Sequence, residues 1–309
     1  MQGVTAFDAQ STSDEVAKAL SGDIRGKNGT TLGSLGAEAA GSIAKYANLI
    51  ILCGRNSTKL EETTKWITEQ TPSANLRPLV FDMSSLDGAR KAAAEVLINS
   101  AGVMAVPYSK TVDGFESHMG INHFAPFVFT SLLYPLLARS GTASSPSRIV
   151  NVSSFGHRRS PMRFDDLGFQ DGKTYDCWLG YGQSKTANIL FTNELAKRTK
   201  EKEQNVVAYS LHPGFIFTTN LAPHLTIADF VRLGSKNEKG EVIIPSKTAQ
   251  QGAATYIVAA FDPSIVPHSG AYLLDADVAN SQQPHAKSPE DAQRLWALSE
   301  TLTQQPFDI

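Results

Sequence analysis

The sequence predicts an α/β fold, a single domain built on a doubly wound parallel sheet. Three observations carry this prediction. Short apolar runs such as Leu49–Cys53 (LIILC) and Arg148–Ser153 (RIVNVS) have the length and composition of strands buried on both faces. Segments with apolar residues at helical spacing lie between them, and strands alternating with helices imply right-handed βαβ units. Small or polar residues close the runs at Asn99–Gly102, Ser153–Ser154 and Pro213–Gly214, the edge at which such a sheet holds its ligand.

Taken in order, Thr12-Ser-Asp-Glu15 has the form of a capping box and opens a short helix that stops near Gly22. Residues 1–25 thus read as an N-terminal helical extension and 26–309 as the domain proper. A helix over Leu35–Tyr46 leads to the strand at Leu49–Cys53. Ser57 caps a helix to about Gln70, Leu76–Phe81 is a strand, and Ser84 or Ser85 caps a helix that takes in Lys91–Val96. Leu97-Ile98 then runs into Asn-Ser-Ala-Gly. A long helix covers Gly114–Ala138, a Ser/Gly/Pro loop spans Ser140–Ser147, and Arg148–Ser153 is the next strand. Further on come a helix over Leu179–Lys200, a strand over Val206–Leu211, a variable region to Ser246, a helix over Thr248–Phe261, a strand at Ala271–Leu274 and a final helix from Glu290. No repeat and no linker divides the chain.

Composition narrows the partners. The net charge is −2 and no basic run is present, which disfavours nucleic acid and anionic membrane surfaces. No uninterrupted apolar span approaches the roughly 20 residues of a transmembrane helix, so no transmembrane segment is expected. The 2 cysteines, Cys53 and Cys177, make no disulfide framework and have no metal-ligand spacing, so they read as small hydrophobes in a reducing, cytoplasmic location, with no metal. The expected partner is a small-molecule substrate, and a homo-oligomer is compatible with the chain.

The segment KNGTTLGSLGAEAAG raises a conflict. Gly29, Gly33 and Gly36, with Leu35 among them, read as a phosphate-binding turn and helix start, because close backbone approach to a pyrophosphate requires missing side chains. The residues before them, DIRGKNG, hold no apolar run, so the first strand reads as truncated. A second gap falls before Leu97, where a helix meets a strand without the usual loop of about 2–6 residues. A sequence lacking two short coding stretches, a natural shortened form and a pseudoenzyme repacked around the gaps all fit this pattern.

The chemistry-bearing set is Asn-Ser-Ala-Gly at Asn99–Gly102, Asn122, Ser154, Tyr181-Gly-Gln-Ser-Lys185 and Pro213-Gly214-x-x-x-Thr218. The i,i+4 spacing puts the Tyr181 phenol and the Lys185 ammonium on one helix face. In this order the motifs resemble the short-chain dehydrogenase/reductase superfamily, a Rossmann fold, over almost the whole chain. RIVNVSS, the insert at Phe164-Asp-Asp-Leu167, YGQSKTAN, LHPG and the spacing of 27 from Ser154 to Tyr181 resemble its retinol-dehydrogenase-like and WW-domain-oxidoreductase-like branch, although no WW domain is present.

The resemblance implies a catalytic set of Ser154, Tyr181, Lys185 and Asn122. Tyr181 moves the proton, Lys185 lowers its pKa and bonds the nicotinamide ribose, and Ser154 holds the substrate oxygen, with Ser153 as its rival. Asn122 holds a relay water or, as a helix-interior amide, simply bonds backbone. A free phenol titrates near about 10, so acid/base work near neutrality asks for a shift of roughly three units, about 4 kcal/mol. The implied cofactor contacts are Gly29, Gly33, Leu35, Gly36, Arg55, Asp82, Asn99, Ala101, Gly102, Tyr181, Lys185, Ile216 and Thr218.

Arg55 ends the second strand where an NAD-preferring fold carries an acidic residue; a guanidinium suits a 2′-phosphate, which points to NADP(H). Residues 220–246, with the Phe-rich segments Phe215–Phe217 and Phe230–Leu233, read as a substrate cover or as core, and His118, His123, His157 and His212 as structural. The expected activity is NADP(H)-dependent interconversion of a carbonyl and an alcohol on a small, fairly apolar molecule: a retinoid, a steroid-like ketone or a polyketide intermediate of secondary metabolism. The alternative is a catalytically impaired or non-catalytic NADP-binding sensor or scaffold.

Overall fold

The computed structural model describes residues 3–32, 34–54, 56–80, 95–219, 221 and 223–309. Its strands are β1 (Asn28–Leu32), β2 (Leu49–Gly54), β3 (Leu76–Val80), β4 (Val96–Asn99), β5 (Ser147–Val152), β6 (Val206–His212), β7 (Tyr272–Leu274) and β8 (Asp277–Ala279). They form one sheet in the order β3-β2-β1-β4-β5-β6-β7-β8, parallel throughout except for the antiparallel β7/β8 pair. The first six strands thus follow the doubly wound dinucleotide-fold order.

The helices are α1 (Ser13–Ala19), α2 (Ser21–Ile24), α3 (Ser34–Ile43), α4 (Ser57–Gln70), α5 (Ala125–Ser140), α6 (Cys177–Glu201), α7 (Ile227–Arg232), α8 (Ala249–Phe261) and α9 (Pro289–Thr303). Side chains alternate across each strand, so the sheet feeds two cores. Ile50, Leu52, Val96, Ile98 and Val150 meet α1, α3 and α8 on one face. Ile51, Cys53, Leu97 and Ile149 meet Phe127, Leu133, Phe191 and Trp296 of α5, α6 and α9 on the other.

The first strand is present, and it is made of the residues read as the phosphate turn. Asn28–Leu32 pairs with β2 from Asn28↔Leu49 to Leu32↔Cys53, and Gly29, Thr30 and Thr31 pair with Val96, Leu97 and Ile98 of β4. Gly29 is therefore a strand residue, a correction that follows from tertiary context: a slot between two parallel strands fixes the backbone, and β-branched Thr30-Thr31 suits it. The strand lacks apolar bulk rather than length. Among the described residues a Cβ at Gly29 would meet nothing within 4 Å, and a cavity of about 10 Å3, room for roughly one water, is lined by Gly29, Thr31, Ala39, Ile50, Val96 and Phe261. The buried Thr30 and Thr31 hydroxyls find no partner among the described residues.

Other expectations change in detail. Val96 opens β4 instead of ending a helix; the helix expected from Ser84 or Ser85, and Asp82, lie outside the described residues, as do Gly33 and Arg55. Asn56, not Ser57, caps α4, its Oδ1 accepting from Lys59 N at 3.0 Å. The Thr12/Glu15 capping box forms as read, but helix continues past Gly22 into α2, and Val16, Ala17, Leu20 and Ile24 join the core with α3 and α8. The short elements α7 and β8 were not foreseen. Ser117–Ser140 is a helical run of 24 residues, close to the expected Gly114–Ala138, but its most apolar 18-residue window has a mean hydropathy of 1.3, so by length and composition it could cross a membrane, which the sequence reading did not allow. It is interrupted by His118, Asn122 and His123, and 61% of its most apolar window is buried in the fold.

Candidate active site

The carboxyl ends of β4, β5 and β6 and one face of α6 converge. At the end of β5 the serine pair divides its work. Ser153 Oγ donates to Lys185 O at 2.7 Å, so it ties the strand to the helix. Ser154 caps the 3-10 turn Phe155–Arg159, its Oγ accepting from Gly156 N at 3.0 Å, so its own proton points to the Tyr181 phenol or to a ligand oxygen beside it. Asp176 caps α6 through Trp178 N and Leu179 N, at 2.8 and 2.9 Å. One turn later Tyr181 lays its ring over Gly156: a Cβ there would lie 2.6 Å from Tyr181 Cε1, so only glycine leaves room for the phenol beside Ser154. The His118 ring meets the Tyr181 ring edge-on, with centroids 6.0 Å apart.

Lys185 follows one turn on. Its Nζ is buried, 5.6 Å from the Tyr181 ring centroid, and donates to Val152 O at 2.9 Å. Asn122 sits in a π turn, Gly120–Phe124, ahead of α5. Its Nδ2 donates to Val103 O (3.0 Å) and Ser184 Oγ (2.9 Å), while Oδ1 accepts from Val103 N (2.8 Å). Both amide N–H groups are thus spent on backbone and Ser184, which leaves the second lone pair of Oδ1 and the main chain of the widened turn, a form frequent at functional sites, to hold a water. Asn99 Nδ2 bonds Thr130 Oγ1 and Asn151 Oδ1, both at 2.9 Å, and cross-ties β4 to its neighbours. Ala101 packs partly into the core beside it. Past Gly214, which has φ +95°, Ile216 turns its side chain onto Gly252 of α8, and Thr218 is exposed.

Comparison with known proteins fits this arrangement. The family profile described as short chain dehydrogenase matches residues 30–164, beginning inside β1. Human retinol dehydrogenase 11 is 38% identical over 285 residues, covering 89% of this chain and 84% of that protein. The chain belongs to the short-chain dehydrogenase family. Within it the similarity lies in the retinol-dehydrogenase-like branch, and the short-chain dehydrogenase/reductase prx1 of Penicillium roqueforti is 34% identical over 286 residues, 86% of this chain and 81% of its own. Among solved structures, an uncharacterised Mycobacterium paratuberculosis protein superposes with a TM-score of 0.72 at 30% identity, covering 94% of this chain and 98% of its own.

Short-chain dehydrogenases use a nicotinamide cofactor, and the described residues fit its nicotinamide end. Lys185 is a buried ammonium with one acceptor, Val152 O, among the described residues, and its further N–H groups can serve ribose hydroxyls. A Cβ at Gly102 would come 2.9 Å from Asn122 Oδ1 and 3.6 Å from Lys185 Nζ, so glycine keeps that approach open. At the pyrophosphate end the fit is leaner. β1 ends at Leu32 and α3 starts at Ser34, so of the three glycines Gly29 lies in the strand and Gly36 in the helix. Gly36 lies in the first turn of α3, where a Cβ would be 2.3 Å from Thr31 Oγ1; it serves helix–strand packing. Leu35 beside it packs at the edge of the core.

Burial sets the protonation states of this dehydrogenase site. It pushes the Tyr181 phenol up to about 12, against a lowering hydrogen bond from Ser154, and the Lys185 ammonium down to about 8. Cys53, pushed up to about 12 by burial, is an unreactive core thiol. Of the four histidines read as structural, His123 bonds Ser299 Oγ and His157 bonds Ser154 O. His212 is buried under Phe155, with centroids 4.2 Å apart. His118 instead belongs to a cluster with Glu116 and Tyr175 that sequence reasoning missed; no spacing rule links Glu116 and Tyr175 across 59 positions.

Proposed function

We propose that this short-chain dehydrogenase interconverts a carbonyl and an alcohol on a small, apolar molecule, using NADP(H), in the cytoplasm. The observation that carries the reading is the buried, protonated Tyr181 phenol wedged beside the Ser154 hydroxyl, with the Lys185 ammonium one turn away. When bound, the nicotinamide supplies or accepts the hydride. Ser154 donates to the substrate oxygen and fixes it beside Tyr181. Tyr181 gives that oxygen its proton in reduction, a role suited to a phenol that burial keeps protonated. Lys185 holds the ribose and, as a cation, favours the phenolate left behind. The main chain around Asn122 connects Lys185 to solvent.

Arg55, read from the sequence as the residue for a 2′-phosphate, supports NADP(H). Apolar side chains around the cover, with Phe215, Ile227 and Ile243 exposed, support a lipophilic substrate, as do relatives named for retinol. The unpaired Cys53 and Cys177 support a reducing compartment.

The test is NADPH oxidation with a panel of retinoid, steroid and linear aliphatic aldehydes and ketones. Tyr181→Phe is expected to lower the rate by about 10²–10⁴-fold, the usual worth of a general acid. Equal rates in the two proteins sink the assignment, and with it the catalytic reading as against a non-catalytic NADP-binding scaffold. For the cofactor, Arg55→Asp is expected to raise the KM for NADPH by about 10–100-fold, the worth of a charge-assisted hydrogen bond, while that for NADH falls or holds. An unchanged NADPH/NADH ratio removes Arg55 from the site.

A further inference from the structure

Against the Tyr181 ring lies a polar cluster, buried at Glu116 and His118 and half-buried at Tyr175, with no part in the proton transfer described above. Glu116 Oε1 accepts from His118 N and from His118 Nδ1, both at 2.9 Å, and from the Tyr175 hydroxyl at 3.3 Å; Oε2 accepts from Met119 N at 3.0 Å. Tyr175 Oη also lies 3.0 Å from His118 Nδ1 and donates to Val106 O at 2.9 Å. Val106 N points at His118 Nε2 across 3.4 Å. The imidazole is therefore held with its proton on Nδ1 and its acceptor on Nε2, and Val106 is gripped at both its amide and its carbonyl.

The residue before the grip is strained. Ala105 has φ +50°, a left-handed conformation that alanine seldom adopts, and it is 3% exposed. Its carbonyl, turned outward by that conformation, accepts a hydrogen bond at 3.0 Å from Nε2 of His224, an exposed residue of the cover. Gly180 closes the other side: a Cβ there would lie 3.1 Å from the Tyr175 ring and 3.2 Å from His118 Nδ1, so the helix turn that bears Tyr181 is packed directly on the cluster.

We propose that Glu116, His118 and Tyr175 are positioning residues that join the substrate cover to the catalytic phenol. From one side they set the Tyr181 ring through the His118 edge; from the other they hold the Ala105–Val106 turn in the conformation that offers His224 its acceptor. Closing the cover over a substrate and aligning Tyr181 are then one event. A set of largely buried polar groups hydrogen-bonded to one another and to the loop backbone is a costly way to hold a loop and a rigid way to orient a ring.

The inference rests on the proposed oxidoreductase reading, and its test separates the two. Tyr175→Phe removes only a hydroxyl. It is expected to lower kcat by about tenfold, as misplacement of a reacting group does, with the KM for NADPH unchanged. It is also expected to speed tryptic cleavage of the cover at Arg232, Lys236 and Lys239 by about tenfold, the measure of a local opening equilibrium. His224→Ala, at an exposed position, gives the same faster cleavage and His224→Gln, which keeps a donor, restores it. Wild-type kcat in Tyr175→Phe, or a cover cut at the wild-type rate in both Tyr175→Phe and His224→Ala, overturns the proposal. If the wild-type protein reduces no carbonyl the functional reading fails by itself, and the cleavage rates still decide whether the cluster holds the cover.

Discussion

Burial acts in opposite directions on the two titrating residues of the site, and the result is a definite pH response. Lys185 is pushed down to about 8 and Tyr181 up to about 12, so at neutral pH both carry their protons. As pH rises, Lys185 is the first to lose its proton, and the cation that favours the phenolate goes with it. For reduction, kcat/KM is expected to be level from about pH 6 to 7 and to fall through an apparent pKa near 8, because kcat/KM reports the groups of the free enzyme. Lys185→Met is expected to cost about 10²-fold and to erase the limb. A wild-type profile that stays flat to about pH 10 would falsify the assignment of Lys185 as the titrating cation. Gly156 belongs to the same scale: its missing side chain is what lets the phenol reach Ser154, so the glycine of SSFGH is a catalytic-site requirement with no polar atom of its own.

Among the elements, β1 is where sequence and structure part. The pattern GxxxGxxG and a strand of Asn-Gly-Thr-Thr-Leu share the same letters, and the motif won in the sequence reading because no apolar run announced a strand. What could have decided otherwise was the sheet itself, since a parallel sheet containing Leu49–Cys53 and Leu97–Ile98 needs a strand between them, and Thr30-Thr31 is the one β-branched pair available. Gly29 then becomes a packing defect. Replacing it with alanine is expected to raise stability by about 1–2 kcal/mol, from lost glycine entropy and a newly buried methyl, and Tm by about 2–4 °C, with NADPH affinity unchanged. Lower affinity with the same Tm would return Gly29 to the phosphate turn. The catalytic half was far more legible, because i,i+4 spacing on a helix and polar residues at strand ends are local signals. The Glu116–His118–Tyr175 cluster was invisible for the opposite reason: its members meet only through the fold. α7 and β8, with 6 and 3 residues, are too short to carry a period.

Over the whole molecule the two cores are closed by the chain ends. α1 and α2 cover one face through Val16, Leu20 and Ile24, while Phe307 stacks on Trp296 at 4.7 Å and contacts Phe127 and Tyr134 on the other. The sheet between them is uneven. β4 and β5 are buried along their whole length, with Val96, Leu97, Ile98, Ile149 and Val150 filling the two cores, whereas the strand at the centre of the cofactor-binding half carries a glycine, two hydroxyls without a partner among the described residues, and a cavity. In a doubly wound domain the middle strands ordinarily exchange their amide hydrogens most slowly, since only global unfolding exposes them. Here the amides of Thr30 and Thr31 are expected to exchange faster than those of Ile98 and Val150, and NADPH at about 100 times its Kd to slow them by an amount set by roughly 2.7 kcal/mol of linkage. Protection as high in β1 as in β5 without ligand would mean that the cavity costs nothing. The weak central strand thus makes the cofactor a structural component as well as a reagent: deuterium uptake at two threonines becomes a gauge of how fully the protein is loaded.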